Sequence, residues 1–156
     1  MIPEAEFIRK EFILREMDFP ESVALTRKSL LRWCSLALGL ISPKETREKG
    51  FLVLDALFHF LFTKKQHPTT LDLHEYIKEK NKTEMSEKLI RYHLNRLIEL
   101  GVLQRKANKY SINPSPTSEK RDSLKESFNA HVKKKVDTEL EQVGEALEKL
   151  QKLYAK

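Results

Sequence analysis

From Met85 to Ile112 the hydrophobic positions keep one period, then switch to another. In SEKLIRYHLNRLIEL the apolar residues Ile90, Leu94, Leu97 and Ile98 fall within one arc when the chain is wound at 100° per residue. An arc of about 100° is the width of a core-facing helical stripe. Lys88, Arg91, Tyr92, Asn95, Arg96 and Glu99 lie on the opposite side, with Leu89 and His93 at the border. Ser86 is placed to cap the first turn with its hydroxyl, and Met85 with Ile90 has the spacing of a hydrophobic staple. Gly101 offers the left-handed residue that ends helices, and Val102 can reach back to Leu97 in a Schellman motif. Alternation by two then takes over: Val102 to Lys106 and Lys109 to Ile112 flank Ala107-Asn108, the pattern of a tight hairpin.

The same reading predicts the rest of the chain. A first amphipathic helix is expected over 4–17, with Ala5, Ile8 and Phe12 on one side, ended by Asp18-Phe-Pro-Glu. A second runs from Ser22 or Thr26 to Leu38 and stops at Gly39. Ser42-Pro43-Lys44-Glu45 has capping-box spacing with proline at the first helical position. Phe51 to Thr63 is apolar almost all round, the mark of a central helix. Its Asp55 and His59 form an i,i+4 pair suited to an intrahelical hydrogen bond. After the loop 64–67, Thr69 and Asp72 cap a helix whose inner face is Leu73, Tyr76, Ile77 and the stem of Lys80. Residues 81–85 make the turn into the helix already described.

Asn113-Pro-Ser-Pro-Thr-Ser reads as a linker by composition. Beyond it, 119–154 contain no proline and only Gly144, so one long helix is expected, with a kink possible at that glycine. Its apolar residues are Leu124, Phe128, Val132, Val136, Leu140, Val143, Leu147, Leu150 and Tyr154. The last six repeat at 4, 3, 4, 3, 4, a heptad seam widened by Ala146 and Leu153. A helix folded back on its own N-terminal neighbours would explain the pattern, but a helix after a linker has little of its own chain left to cover. The expectation is homodimerisation through Val136, Leu140, Val143, Leu147, Leu150 and Tyr154. The organisation is then a helical N-terminal extension (1–46), a central domain (47–113), a linker (114–118) and a long C-terminal helix (119–156).

Charge sharpens this picture. The chain of 156 residues carries a formal +6 and a pI near 9.3, which favours an acidic partner. Six lysines and arginines against two glutamates between Ser86 and Asn113, a formal +4, concentrate that charge on one helix and hairpin. The single cysteine, Cys34, excludes an internal disulfide framework and suits a reducing cytoplasm; its apolar surroundings predict a buried, inert thiol. The first dozen residues lack a signal-peptide pattern. The two greasiest runs, 30–41 and 51–62, are too short and too polar to span a bilayer.

Ser86, Ile90, His93-Leu94, Leu97, Gly101, Val102-Leu103 and Arg105 make this segment resemble the recognition helix and wing of the winged helix-turn-helix superfamily, in its group of repressor-like bacterial and archaeal regulators. The resemblance covers residues 47–113. It implies a mostly α fold with one small β-hairpin, here with added N-terminal helices and a long C-terminal helix. It also implies double-stranded DNA as the partner, with the helix in the major groove and the hairpin on the backbone. Arg91 and Asn95 are the candidates for base edges, flanked by Lys88 and Tyr92, since arginine and asparagine pair bidentately with guanine and adenine. Ser86, Arg96, Arg105, Lys106 and Lys109 are the candidate phosphate contacts. Any one of these cations alone is ordinarily a solvated charge; their clustering opposite an apolar stripe is what points to a regulator.

A winged-helix adaptor docking through the long helix and Lys133-Lys-Lys135 is the alternative, and charge does not separate RNA from DNA. An enzyme is not expected. The histidines at 59, 67, 74, 93 and 131 are scattered, with no metal-ligand spacing, and neither a Gly-rich phosphate loop nor a nucleophile elbow occurs. His67 and His74 are expected as surface residues, His93 as bonded to backbone, and Trp33 as a core aromatic. No cofactor or metal is implied.

Overall fold

The computed structural model describes residues 1–45 and 48–156. The chain is mostly helical, with one two-stranded antiparallel sheet. It forms two compact units, Met1–Arg96 and Leu97–Lys156.

In the first unit, α1 (Arg27–Ala37) begins where Thr26 accepts from the Ser29 amide. It ends at Gly39, whose φ of +68° is the left-handed stop expected of glycine. α2 (Lys49–Phe58) continues through a π-helical turn, His59–Thr63, and carries the most buried surface of the unit: Val53, Leu54, Ala56 and Leu57. α3 (Thr70–Asn81) opens on a complete capping box, with Thr69 and Asp72 each accepting the other's backbone N–H. Leu73 and Ile77 are fully buried and α3 lies against α2. α4 (Glu87–Leu100) starts at Ser86, whose hydroxyl accepts from Leu89 N at 3.1 Å. Met85, Ile90 and Leu94 are buried as the staple and stripe require.

Four expectations fail in residues 1–45 of this unit. Residues 4–17 are not an amphipathic helix: a short 3-10 turn, Pro3–Phe7, gives way to extended chain. The reason is long-range. Arg15 N–H donates to Ala37 O and its guanidinium to Leu36 O at 2.6 Å, while Ile13 sits against Gly39. The segment is thus a strap that satisfies carbonyls at the end of α1, and an extended strap reaches farther per residue than a helix. Trp33 is likewise not a core aromatic. It is half-buried, donates to Asp18 O at 2.7 Å and stacks on Phe19 with ring centroids 4.7 Å apart, fastening the same strap.

The capping box at Ser42 does not form either. Ser42 accepts from Lys44 N within a turn, and Glu45 reaches forward to the Gly50 amide at 3.0 Å. Residues 46 and 47, which include the expected boundary of the central domain, lie outside the described residues. Cys34, finally, is exposed rather than buried, because Ser35 and Ala37 take the inward positions of α1. Partial burial still pushes its thiol pKa up, so it stays protonated.

In the second unit, α4 ends on Gly101, φ +114°, whose N–H donates to Leu97 O. That single-bond geometry is an αL cap rather than the expected Schellman pair. β1 (Leu103–Lys106) and β2 (Lys109–Ile112) pair from Leu103 with Ile112 to Lys106 with Lys109. Val102, Leu103, Tyr110 and Ile112 are buried. Ala107 and Asn108 have φ of +51° and +65°, the two positive values of a type I′ turn. Asparagine accepts that conformation and alanine resists it. Ala107→Asn is therefore expected to raise stability by up to about 1 kcal/mol, read as a higher urea midpoint at unchanged slope; an unchanged midpoint would show that the turn stores no strain.

The stretch 113–118 is no free linker. Asn113 bonds through its amide N–H to Val102 O and through its side chain to Gly101 O, Ser115 is buried, and His131 meets Pro114 O at 2.9 Å. The C-terminal helix begins later than expected, at α5 (Leu124–Phe128), capped by Ser123. A π-helical turn, Asn129–Lys133, joins it to α6 (Lys134–Tyr154). α6 runs unbroken through Gly144, so the helical irregularity falls at the π turn and not at the glycine. Ser127 and Val132 are buried, and Ser127 donates to Val102 O at 3.4 Å. The first ten residues of this helix thus cover the hairpin's own unit, whereas Leu140, Val143, Leu147, Leu150 and Tyr154 stand exposed.

Candidate nucleic-acid interface

α4 is cut into two sides by its burial. Ile90 and Leu94 are inaccessible to solvent and Leu97 nearly so. Lys88 and Asn95 are exposed, Tyr92 is 57% exposed, and Arg91 is half-exposed. Those four residues follow one another at i, i+3, i+4 and i+7, so they line a single ridge of the helix. Three of them offer hydrogen-bond donors on long side chains or a two-sided amide, which suits base edges and phosphates. Tyr92 meets His93 edge-on at 5.2 Å.

Arg96 does not belong to that ridge. Its guanidinium donates to Leu40 O at 3.1 Å and to Gly39 O. Both carbonyls are at the left-handed end of α1, where a helix leaves acceptors without partners. An arginine so engaged anchors α4 to α1 and is withdrawn from the phosphate candidates. Ser86 is occupied too, as the N-cap, although its hydroxyl oxygen stays at the solvent-exposed start of α4.

Among the described residues His93 bonds to no backbone group. Its ring is packed against Gly50, where an added Cβ would approach within 3.1 Å, and its Nδ1 is buried with no hydrogen-bond partner among those residues. Desolvation pushes its pKa down, Glu45 pulls it up and Arg96 presses it down further, with the first effect largest. Above the ordinary histidine value of about 6.5 both folded and unfolded chains carry neutral imidazole and stability is full. As pH falls below that value the unfolded chain takes up a proton that the folded chain resists, so stability declines. Thermal melts between pH 7.5 and 5.5 are expected to show this decline, reduced in His93→Gln; identical slopes in the two proteins would contradict it.

The hairpin brings its own cations to the surface. Arg105, Lys106 and Lys109 are exposed, and Lys106 and Lys109 face each other across the last strand pair. Arg105 is steadied by Asn108 Oδ1 at 3.3 Å and by the Tyr110 ring at 5.3 Å from its centroid. Like charges directly opposite on a strand pair repel each other, so this end of the hairpin is a site of concentrated positive charge.

The chain matches no family model, no curated protein and no solved structure. The geometry therefore carries the functional argument alone.

The other chemistry-bearing residues are placed in structural roles. His59 stacks on Tyr76 at 4.8 Å and makes no hydrogen bond to Asp55. His74 contacts Met85 O at 2.7 Å and lies 3.8 Å from Glu84, which fixes the turn before α4; His67 is exposed. Among the described residues no group of histidine, cysteine, aspartate or glutamate could hold a metal ion, and no helix is long and apolar enough to cross a membrane. Sequence reasoning missed Arg96 as an anchor, and the only signal it carried was its position beside the apolar stripe.

Proposed function

We propose that the chain is a sequence-specific regulator that binds double-stranded DNA as a homodimer. In this reading α4 enters the major groove and the hairpin's cations meet the phosphodiester backbone. The observation that carries it is the ridge of Lys88, Arg91, Tyr92 and Asn95, turned to solvent on a helix whose reverse side buries Ile90, Leu94 and Leu97. The order of three helices followed by a hairpin, α2 to β2, is that of a winged helix-turn-helix domain and supports the same reading. Arg91 and Asn95 are the base-reading candidates, flanked by Lys88 and Tyr92, and Arg105, Lys106 and Lys109 are the backbone ones. The exposed apolar residues of α6 supply the dimer contact.

Selection from a random duplex pool, followed by fluorescence titration, tests the proposal. Saturable binding to an enriched site is expected, and Arg91→Ala should cost roughly 1–3 kcal/mol there while relaxing preference at one base pair. A pool from which nothing is enriched would reject DNA reading and leave α6 as the docking helix of a protein adaptor.

A further inference from the structure

The exposed side of α6 has an internal symmetry that selects how a second copy meets it. Val136, Leu140 and Val143 lie nine, five and two residues before Glu145; Leu147, Leu150 and Tyr154 lie two, five and nine after it. Leu140, Val143, Leu147, Leu150 and Tyr154 are between 49% and 84% exposed. The two residues that flank Glu145 are the smallest on the helix, Gly144 and Ala146, and a Cβ added at Gly144 would meet nothing within 4 Å. A glycine in open space in mid-helix costs about 1 kcal/mol against alanine, and the packing within this unit gives no reason for it.

We propose that α6 pairs antiparallel with α6 of a second copy, about a two-fold axis at Glu145. This rests on the dimer reading above and fixes its geometry. Heptad positions a of one helix then meet d of the other in every layer: Leu140 with Leu150, Leu147 with Val143 and Tyr154 with Val136. Gly144 meets its own copy on one flank and Ala146 meets its own copy on the other, so small residues stand where the helices cross. Leu153 adds apolar surface at the edge of the same side.

Charge decides between the two orientations. Residues 136–144 carry Asp137, Glu139 and Glu141 and no base; the matching residues 146–154 carry Lys149 and Lys152 against Glu148. Parallel pairing in register sets the acidic half against the acidic half. Antiparallel pairing sets it against the lysines, within a Debye length of about 8–10 Å. It also sends the two Lys134 ends of α6 in opposite directions, about 33 Å apart along the helix axis at 1.5 Å per residue.

Cysteine cross-linking in a Cys34→Ser background tests the orientation. Ala146→Cys faces its own copy across the proposed axis and is expected to oxidise to a disulfide-linked dimer, at least about ten-fold more than Leu150→Cys, because bridged Cβ atoms must come within about 4.5 Å. In the antiparallel pair the two copies of position 150 are offset by about 15 Å along the axis. Both substitutions are at exposed sites on α6, so folding is not at stake. Preferential linking of Leu150→Cys overturns the antiparallel arrangement while leaving a dimer. A monomer by light scattering overturns the dimer itself, and DNA binding by that monomer would show that base reading stands without it.

Discussion

Leu94→Ala is expected to weaken duplex binding while leaving every residue of the cationic ridge in the sequence. Leu94 is inaccessible to solvent and lies in the middle of the stripe that seats α4, between Ile90 and Leu97. Truncation to alanine loses the transfer free energy of the isobutyl group and leaves a cavity, together about 2–5 kcal/mol. Against a total stability of about 5–15 kcal/mol that is a large fraction. The ridge residues keep their identity but lose the rigid backing that holds Arg91 and Asn95 in one geometry. Urea unfolding should show the midpoint fall, and the titration should show affinity fall for specific and random duplex alike. A protein with normal stability and lost binding would place Leu94 at the interface instead of beneath it.

The second large effect is of salt. Lys88, Arg105, Lys106 and Lys109 give four cations per chain for the backbone once Arg96 is set aside as an anchor and Arg91 for a base edge. Two copies offer eight, and with six to eight of these on phosphates the affinity should fall about 10³- to 10⁴-fold between 50 and 200 mM salt. Lys106→Ala, at the hairpin end opposite Lys109, should weaken all duplexes equally and flatten the salt slope by about one per chain in contact. Affinity independent of salt would exclude the hairpin as a backbone contact. A slope retained in full by Lys106→Ala would exclude that residue alone.

The parts of this fold that were legible in the sequence are those set by neighbours a few residues apart. Thr69 with Asp72, Ser86 with Leu89, and the glycine stops at 39 and 101 are local devices, and each was readable from spacing. The buried stripe of α4 followed from period alone. What escaped was set by partners far along the chain. Arg96 finds its acceptors 56 and 57 residues away, and Arg15 finds its own 21 residues on. Neither distance leaves a trace in periodicity. Periodicity therefore predicts the strap as a helix and the anchor as a phosphate contact. The composition of 113–118 misleads for a related reason: Pro and Ser suggest mobility, yet Ser115 is buried and Asn113 is bonded through both its backbone N–H and its side-chain amide.

The π turn between α5 and α6 has a geometric consequence. Lys134 N–H bonds to Asn129 O, five residues back, so this turn holds one residue more than an α-helical turn would. Leu124, Phe128, Val132 and Val136 recur every four residues, a spacing that drifts by about 40° per step on an α-helix at 100° per residue. The extra residue absorbs part of that drift. It lets Val132 point into its own unit while the residues from Leu140 onward look outward. The turn thus sets the azimuth of the distal helix about its axis. A single-residue deletion there would swing the outward residues of α6 by about 100° about the helix axis relative to α5.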